Sequence, residues 1–176
     1  VQMENATTAV RCVETLSKAS RGADMRMPGR EDIIRGLAGA SLPGRFQVIP
    51  GKPRIVLDVS HNEEALCAAV DSLVRVGAGG KKRILLGLMA RKQLGRFPRL
   101  AAAAVDDIIL VPLGSEGSAS GEELAGRFEG CGGRAVIRSA GDMREGVSMA
   151  FDGLGERGTL LVTGSHHTVE EAGSFL

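Results

Sequence analysis

The stretch Pro53-Arg54-Ile55-Val56-Leu57-Asp58-Val59-Ser60-His61-Asn62 decides the fold. Ile55, Val56 and Leu57 form a short, β-branched-rich apolar run that stops at Asp58, the pattern of a buried strand. Upstream, Pro43-Gly44-Arg45-Phe46 punctuates the chain and opens a short edge strand. Downstream, Ala65, Leu66, Ala69, Val70, Leu73 and Val74 recur at helical spacing, and Ser60 with Glu63 predicts a capping box ahead of them. In open α/β sheets, ligands bind outside the carboxyl ends of strands, at the mouths of the following helices. Asp58, Ser60, His61 and Asn62 fall at such a place.

Outward from this stretch the chain alternates. Strands are predicted at 46–49, 54–58, 83–88, 107–112, 134–137 and 159–163, and helices at 62–76, 92–104, 120–128, 141–151 and 168–175. Ser120 with Glu123, and Thr168 with Glu171, repeat the capping-box pattern. This alternation argues a three-layer, Rossmann-like α/β domain with a mostly parallel six-stranded sheet and right-handed crossovers. The first strand joins the second by a short turn, so that pair is expected to be antiparallel. Residues 3–18 and 30–39 read as two helices with no strand beside them. The expected division is therefore 1–41, a two-helix remnant, and 42–176, the compact domain. Val1-Gln2-Met3 lacks an initiator Met and enters a helical pattern at once, so a piece of a longer chain is expected.

Composition narrows the function classes. The 176 residues are 43% hydrophobic and 24% charged, with a net charge of +1. That balance gives no bulk electrostatic case for nucleic acid or an anionic membrane. The sequence holds no Trp or Tyr, so base-stacking platforms are scarce. No apolar run is long enough to span a bilayer and no signal peptide is visible. Three widely spaced cysteines, Cys12, Cys67 and Cys131, fit reduced cytoplasmic thiols better than a disulfide frame or a zinc site. No oligomerisation signal stands out, and a monomer is the default expectation.

Several residues could carry chemistry. Arg45 could clamp a phosphate through its planar fork, or be a surface arginine in a turn. Asp58 could accept hydrogen bonds from ribose hydroxyls, or cap a helix. His61 could meet a carboxylate or phosphate at a helix mouth, or be a solvated capping residue. Gly164-Ser165-His166-His167 follows an apolar strand and suits an anion; a metal reading of the histidine pair with His61 is disfavoured, because adjacent residues of a strand point to opposite faces. Lys92 could meet a phosphate or carboxylate, or simply begin a helix in solvent. There is no phosphate loop and no G-x-S-x-G, so the chain shows half a nucleotide site at best.

Taken in order, Pro43-Gly44-Arg45-Phe46, Leu57-Asp58-Val59-Ser60-His61-Asn62 and Val162-Thr163-Gly164-Ser165 resemble the carboxyl-terminal domain of folylpolyglutamate synthase/dihydrofolate synthase, in the Mur ligase superfamily. Gln2-Met3-Glu4-Asn5-Ala6-Thr7-Thr8-Ala9 resembles a helix late in that family's central ATPase domain, and Ile34-Arg35-Gly36-Leu37 its closing helix. The resemblance implies an ATP- and Mg2+-dependent ligase that joins L-glutamate to a folate or pteroate carboxylate through an acyl phosphate. It implies nucleotide contacts at Asn5, Arg45 and Asp58, catalytic roles for His61 and Lys92, substrate contacts at Ser165 and His167, and no metal ligand in this stretch. The phosphate loop and the magnesium ligands are expected mostly upstream, in the central ATPase domain, and this stretch alone is expected to be inactive. Three departures stand out. Glu63 replaces the usual proline after His-Asn, Arg91-Lys92-Gln93 replaces Asp-Lys-Asp, and Leu113-Gly114-Ser115-Glu116-Gly117 lacks an expected arginine. Another Mur-type amide ligase, or a non-catalytic α/β nucleotide-binding or regulatory module, are the alternative readings.

Overall fold

A computed structural model describes residues 2–19, 28–77 and 79–176, and the side chains from Asn5 onward within these. The chain divides into two compact units, Val1–Leu42 and Pro43–Leu176. The first contains α1 (Gln2–Ala19) and α2 (Arg30–Gly39). Asp32 sits in the first turn of α2, where its carboxylate accepts the Gly29 N–H at 2.9 Å and meets Arg35. These contacts, the backbone one first, lower its pKa. No residue of α2 is buried, and Leu16, Ile34 and Leu37 are exposed. Among the described residues no helix is long and apolar enough to cross a membrane.

The second unit is a six-stranded sheet in the order β1-β2-β6-β3-β4-β5, from β1 (Gln47–Ile49), β2 (Arg54–Asp58), β3 (Lys82–Leu86), β4 (Asp107–Leu110), β5 (Val136–Ser139) and β6 (Thr159–Thr163). β1 runs antiparallel to β2 and every other pair is parallel. Helices α3 (Glu63–Val76), α4 (Phe97–Ala104) and α5 (Gly121–Gly126) cover one face; α6 (Met143–Phe151) and α7 (His166–Gly173) cover the other. Both faces of the inner strands are therefore dry, which is why Ile84-Leu85-Leu86 and Ile108-Ile109-Leu110 read as unbroken apolar runs rather than alternating ones. Ile84, Leu86, Ile108 and Leu110 pack under α3 and α4, while Leu85 and Ile109 pack under α6. At the amino end of the sheet, Arg83 is buried, pairs with Asp107 at 2.7 Å and donates to carbonyls at the end of α6.

The predicted elements are all present, with shifted ends that have local causes. β5 starts two residues late because the amides of Arg134 and Ala135 are first drawn to the Ala102 carbonyl of α4. α4 starts at Phe97 instead of 92, since Gly95 takes φ +48° just before it. The Ser120–Glu123 capping box is formed in both directions. The other two are not. Asn62, not Ser60, caps α3 by accepting the Ala65 N–H at 2.9 Å, and Ser165, not Thr168, caps α7. Each true cap lies where the chain first leaves extended backbone, and the capping-box spacing missed it by two or three residues.

Candidate functional site

β6 enters last, between β2 and β3, and its helix goes to the opposite face from theirs. That makes the carboxyl ends of β2, β6 and β3 the topological switch point, where the sheet opens a crevice. Three turns meet there through backbone hydrogen bonds. Gly164 N–H donates to the Ser60 carbonyl at 3.0 Å, and Gly87 N–H to the Thr163 carbonyl at 3.3 Å. A Cβ on Gly164, which sits at φ +119°, would lie 2.0 Å from the Gly87 carbonyl oxygen.

Asp58 ends β2 and is 6% exposed. It does not cap α3. Its Oδ2 accepts the Phe46 N–H and its Oδ1 the Ser60 N–H, both at 2.8 Å. Phe46 is held at φ +49°, the only non-glycine at positive φ among the described residues. Gly44, at φ +66°, is fixed by its carbonyl to Val59 N–H at 2.8 Å and by its N–H to Gln47 Oε1 at 3.0 Å. The turn that carries Arg45 is thus pinned on both sides. Arg45 itself is exposed and makes no hydrogen bond or ion pair among the described residues. A cation on a rigid support, not yet neutralised, is what an anionic ligand needs.

His61 lies ahead of the N-cap of α3, not inside the helix. Its Nδ1 is 3.0 Å from the Val59 carbonyl, which only accepts, so Nδ1 carries the hydrogen and Nε2 is the free ring nitrogen. Ser165 is buried and its hydroxyl is committed. It accepts Thr168 N–H at 3.0 Å and lies 2.8 Å from Thr168 Oγ1, whose own hydrogen goes to the Gly87 carbonyl at 2.7 Å. Ser165 therefore donates its hydroxyl hydrogen bond to Thr168 Oγ1, which leaves backbone amides of α7 as the donors at this mouth. His166 and His167 are exposed and stand in the first turn of α7, not in a strand. Among the described residues no group of three or more His, Cys, Asp or Glu could hold a metal. One strand over from Asp58 in register, the Thr163 hydroxyl is buried with no hydrogen-bond partner among the described residues.

Lys92 hangs from the loop after β3, half-buried, beside a cleft of about 480 Å³. Sequence reasoning missed what holds that loop. Arg127, at the end of α5, donates to the Lys92 and Ala90 carbonyls at 2.7 Å each. Glu63, at the first position of α3, accepts Arg96 N–H at 3.0 Å and stands 3.7 Å from the Arg96 guanidinium. Nothing in the sequence marks Arg127. Glu63 was visible as a departure, and the structure gives it a partner. Asn5 is exposed on α1, in the first unit.

The family model "Mur ligase, glutamate ligase domain" matches residues 44–166. The chain is 30% identical over 140 residues to a dihydrofolate synthase/folylpolyglutamate synthase of Escherichia coli (strain K12), covering 79% of this chain and 32% of the relative. In structure it is similar to a bifunctional folylpolyglutamate synthase/dihydrofolate synthase from Yersinia pestis complexed with AMPPNP and Mn ion, with a TM-score of 0.73, 29% identity, and coverage of 86% of this chain and 35% of that one. It is likewise similar to E. coli FolC in complex with DHPP and ADP, with a TM-score of 0.74, 25% identity, and coverage of 92% and 37%. The chain thus spans about a third of the length of these relatives.

Proposed function

This chain belongs to the Mur ligase family through its glutamate ligase domain, and on that premise we propose that it is the carboxyl-terminal part of an ATP-dependent ligase that adds L-glutamate to a folate or pteroate carboxylate. The observation that carries the reading is Arg45, unpaired and held out on a turn that Asp58 locks. The names of the relatives, dihydrofolate and folylpolyglutamate synthases, support the choice of acceptor. The exposed apolar residues Leu16, Ile34 and Leu37 support reading 1–41 as the end of a central ATPase domain, a partner that would cover them. The whole is proposed to be a cytoplasmic monomer.

The chemistry runs in two steps. An oxygen of the acceptor carboxylate attacks the γ-phosphorus of ATP, and ADP leaves with the electrons of the broken P–O bond. The amine of L-glutamate then attacks the acyl carbon, phosphate departs with the former carboxylate oxygen, and the amine loses a proton. Three anions must be held together, so positioning and fixed positive charge carry most of the rate. Arg45 would neutralise the nucleotide phosphates, and Asn5 would meet the adenine. Asp58 keeps a second lone pair on each oxygen for the ribose hydroxyls. His61 Nε2 and Lys92 would serve the reacting groups, while Ser165 and His167 would receive glutamate through the first turn of α7. The magnesium ligands are proposed to lie mostly upstream, in the central ATPase domain.

The acyl phosphate is tested by isotope. With the acceptor carboxylate labelled with ¹⁸O, the released phosphate should carry one ¹⁸O per turnover. Unlabelled phosphate alongside amide formation would overturn the mechanism.

A further inference from the structure

A second cleft, of about 580 Å³, opens at the carboxyl ends of β4 and β5, between the start of α6 and the end of α7. Its volume is in the range of small-molecule pockets. None of its lining residues takes part in the site described above. Pro112, Leu113, Met143 and Phe175 make apolar walls. Arg144 stands at its edge with its guanidinium carbon 4.9 Å over the Phe175 ring, and it makes no hydrogen bond or ion pair among the described residues. Stacking on the ring holds that charge in place without neutralising it.

Two carboxylates line the same cleft. Glu171 accepts Gly114 N–H through both oxygens, at 3.0 and 3.2 Å, and Asp142 Oδ1 accepts Glu145 N–H at 2.8 Å. These bonds fix the two groups, and among the described residues neither carboxylate has a cationic partner within an ion pair. The cleft therefore presents one fixed cation, fixed anions and apolar walls together. Two carboxylates stand against one guanidinium, so a simple anion is disfavoured, and only a ligand that carries both charges pairs with all three groups. The geometry points to a binding site for a zwitterionic amino acid with an apolar side chain: carboxylate to Arg144, ammonium to Glu171 and Asp142, side chain against Leu113, Met143 and Phe175. L-Glutamate is disfavoured here, because its side-chain carboxylate would face those apolar walls. α7 connects the two regions, with Ser165 at its start and Glu171 near its end, so occupancy of this cleft would bear on the first site through that helix.

The test uses the 176-residue chain and amide chemical shifts. A shallow cleft of this kind is expected to bind L-phenylalanine with a Kd of about 1 mM. Saturable shifts should fall on Gly114, Gly141, Arg144 and Ser174. Phenylalaninamide, which lacks the carboxylate, and N-acetylphenylalanine, which lacks the ammonium, should each bind about tenfold more weakly. Arg144→Gln should weaken phenylalanine without weakening phenylalaninamide; Glu171→Gln should weaken phenylalanine without weakening N-acetylphenylalanine. Each variant carries its own folding control in the unperturbed resonances of β2 and β6. No saturable shift up to about 10 mM, equal binding of all three compounds, or shifts centred elsewhere would overturn the assignment.

Discussion

Asp58 Oδ2 accepts the backbone N–H of Phe46, twelve residues earlier in the chain, at 2.8 Å, while Oδ1 of the same carboxylate accepts Ser60 N–H at 2.8 Å. One buried charge thereby joins the turn that bears Arg45 to the turn that bears His61. Removing it strands two amides. Hydrogen bonds to a charged group are worth about 1.5–3 kcal/mol each, so losing both in Asp58→Ala is expected to cost about 3–6 kcal/mol in urea unfolding. Asp58→Asn, which keeps one acceptor oxygen, should lose roughly half as much. Stability of Asp58→Ala within about 0.5 kcal/mol of the parent would show that the clamp carries no weight.

Gly164 tests the packing of the three turns. A methyl group there would meet the Gly87 carbonyl oxygen at 2.0 Å, and φ +119° is already outside the range of L side chains. Backbone cannot move aside as a flexible side chain would. Gly164→Ala is expected to cost about 3–5 kcal/mol in chemical unfolding. Gly126→Ala serves as the control: nothing lies within 4 Å of its Cβ, and it closes a helix. That change should stay within about 1 kcal/mol of the parent. Equal effects of the two substitutions would contradict the description of the turn cluster.

Cys67 lies in the α3 core, 3% exposed, and burial raises its thiol pKa, with the nearby Arg96 opposing only in part. The sign of the pH effect follows. Above the ordinary thiol pKa, about 8.5, the unfolded chain ionises at this position while the folded chain stays protonated. The contribution is fully present below that pH and is lost as pH rises toward the folded value. Cys67→Ala should flatten the alkaline fall in stability. In thiol labelling with Ellman's reagent, exposed Cys12 should react first and Cys67 only on unfolding. Rapid labelling of Cys67 in the folded chain would contradict its placement.

Much of the fold was legible because its signals are local. Apolar runs such as Leu160-Leu161-Val162, bounded by turn residues, mark strands buried on both faces, and alternation with helices fixes a parallel sheet. The strand order was not legible. Nothing in β6 itself says that it inserts between β2 and β3; that depends on which helix covers which face. Caps were misplaced at Ser60 and Thr168 because several capping residues stand in a row, and only the backbone path selects one. At the candidate site, Arg45, Asp58 and His61 were picked by residue type at strand ends. The commitment of Asp58 and Ser165 to backbone and neighbouring hydroxyls was invisible, since their partners Phe46, Thr168 and Gly87 are set by tertiary contact. Arg127 was missed for the same reason: its role is to brace a loop 35 residues away in sequence.

The measurement that tests the central claim most directly is glutamate-dependent ADP release by the full-length ligase proposed to contain this chain. Dihydropteroate, tetrahydrofolate and no acceptor would be compared, with Arg45→Ala as the control. Arg45 is exposed and makes no hydrogen bond or ion pair among the described residues, so its loss should leave the fold intact. ADP release that requires both glutamate and a pterin acceptor, and that falls at least about a hundredfold in Arg45→Ala, is the result predicted for a guanidinium that neutralises the transferred phosphoryl group. A folded protein that binds ATP yet releases no ADP with either acceptor, or an Arg45→Ala variant as active as the parent, would contradict the account.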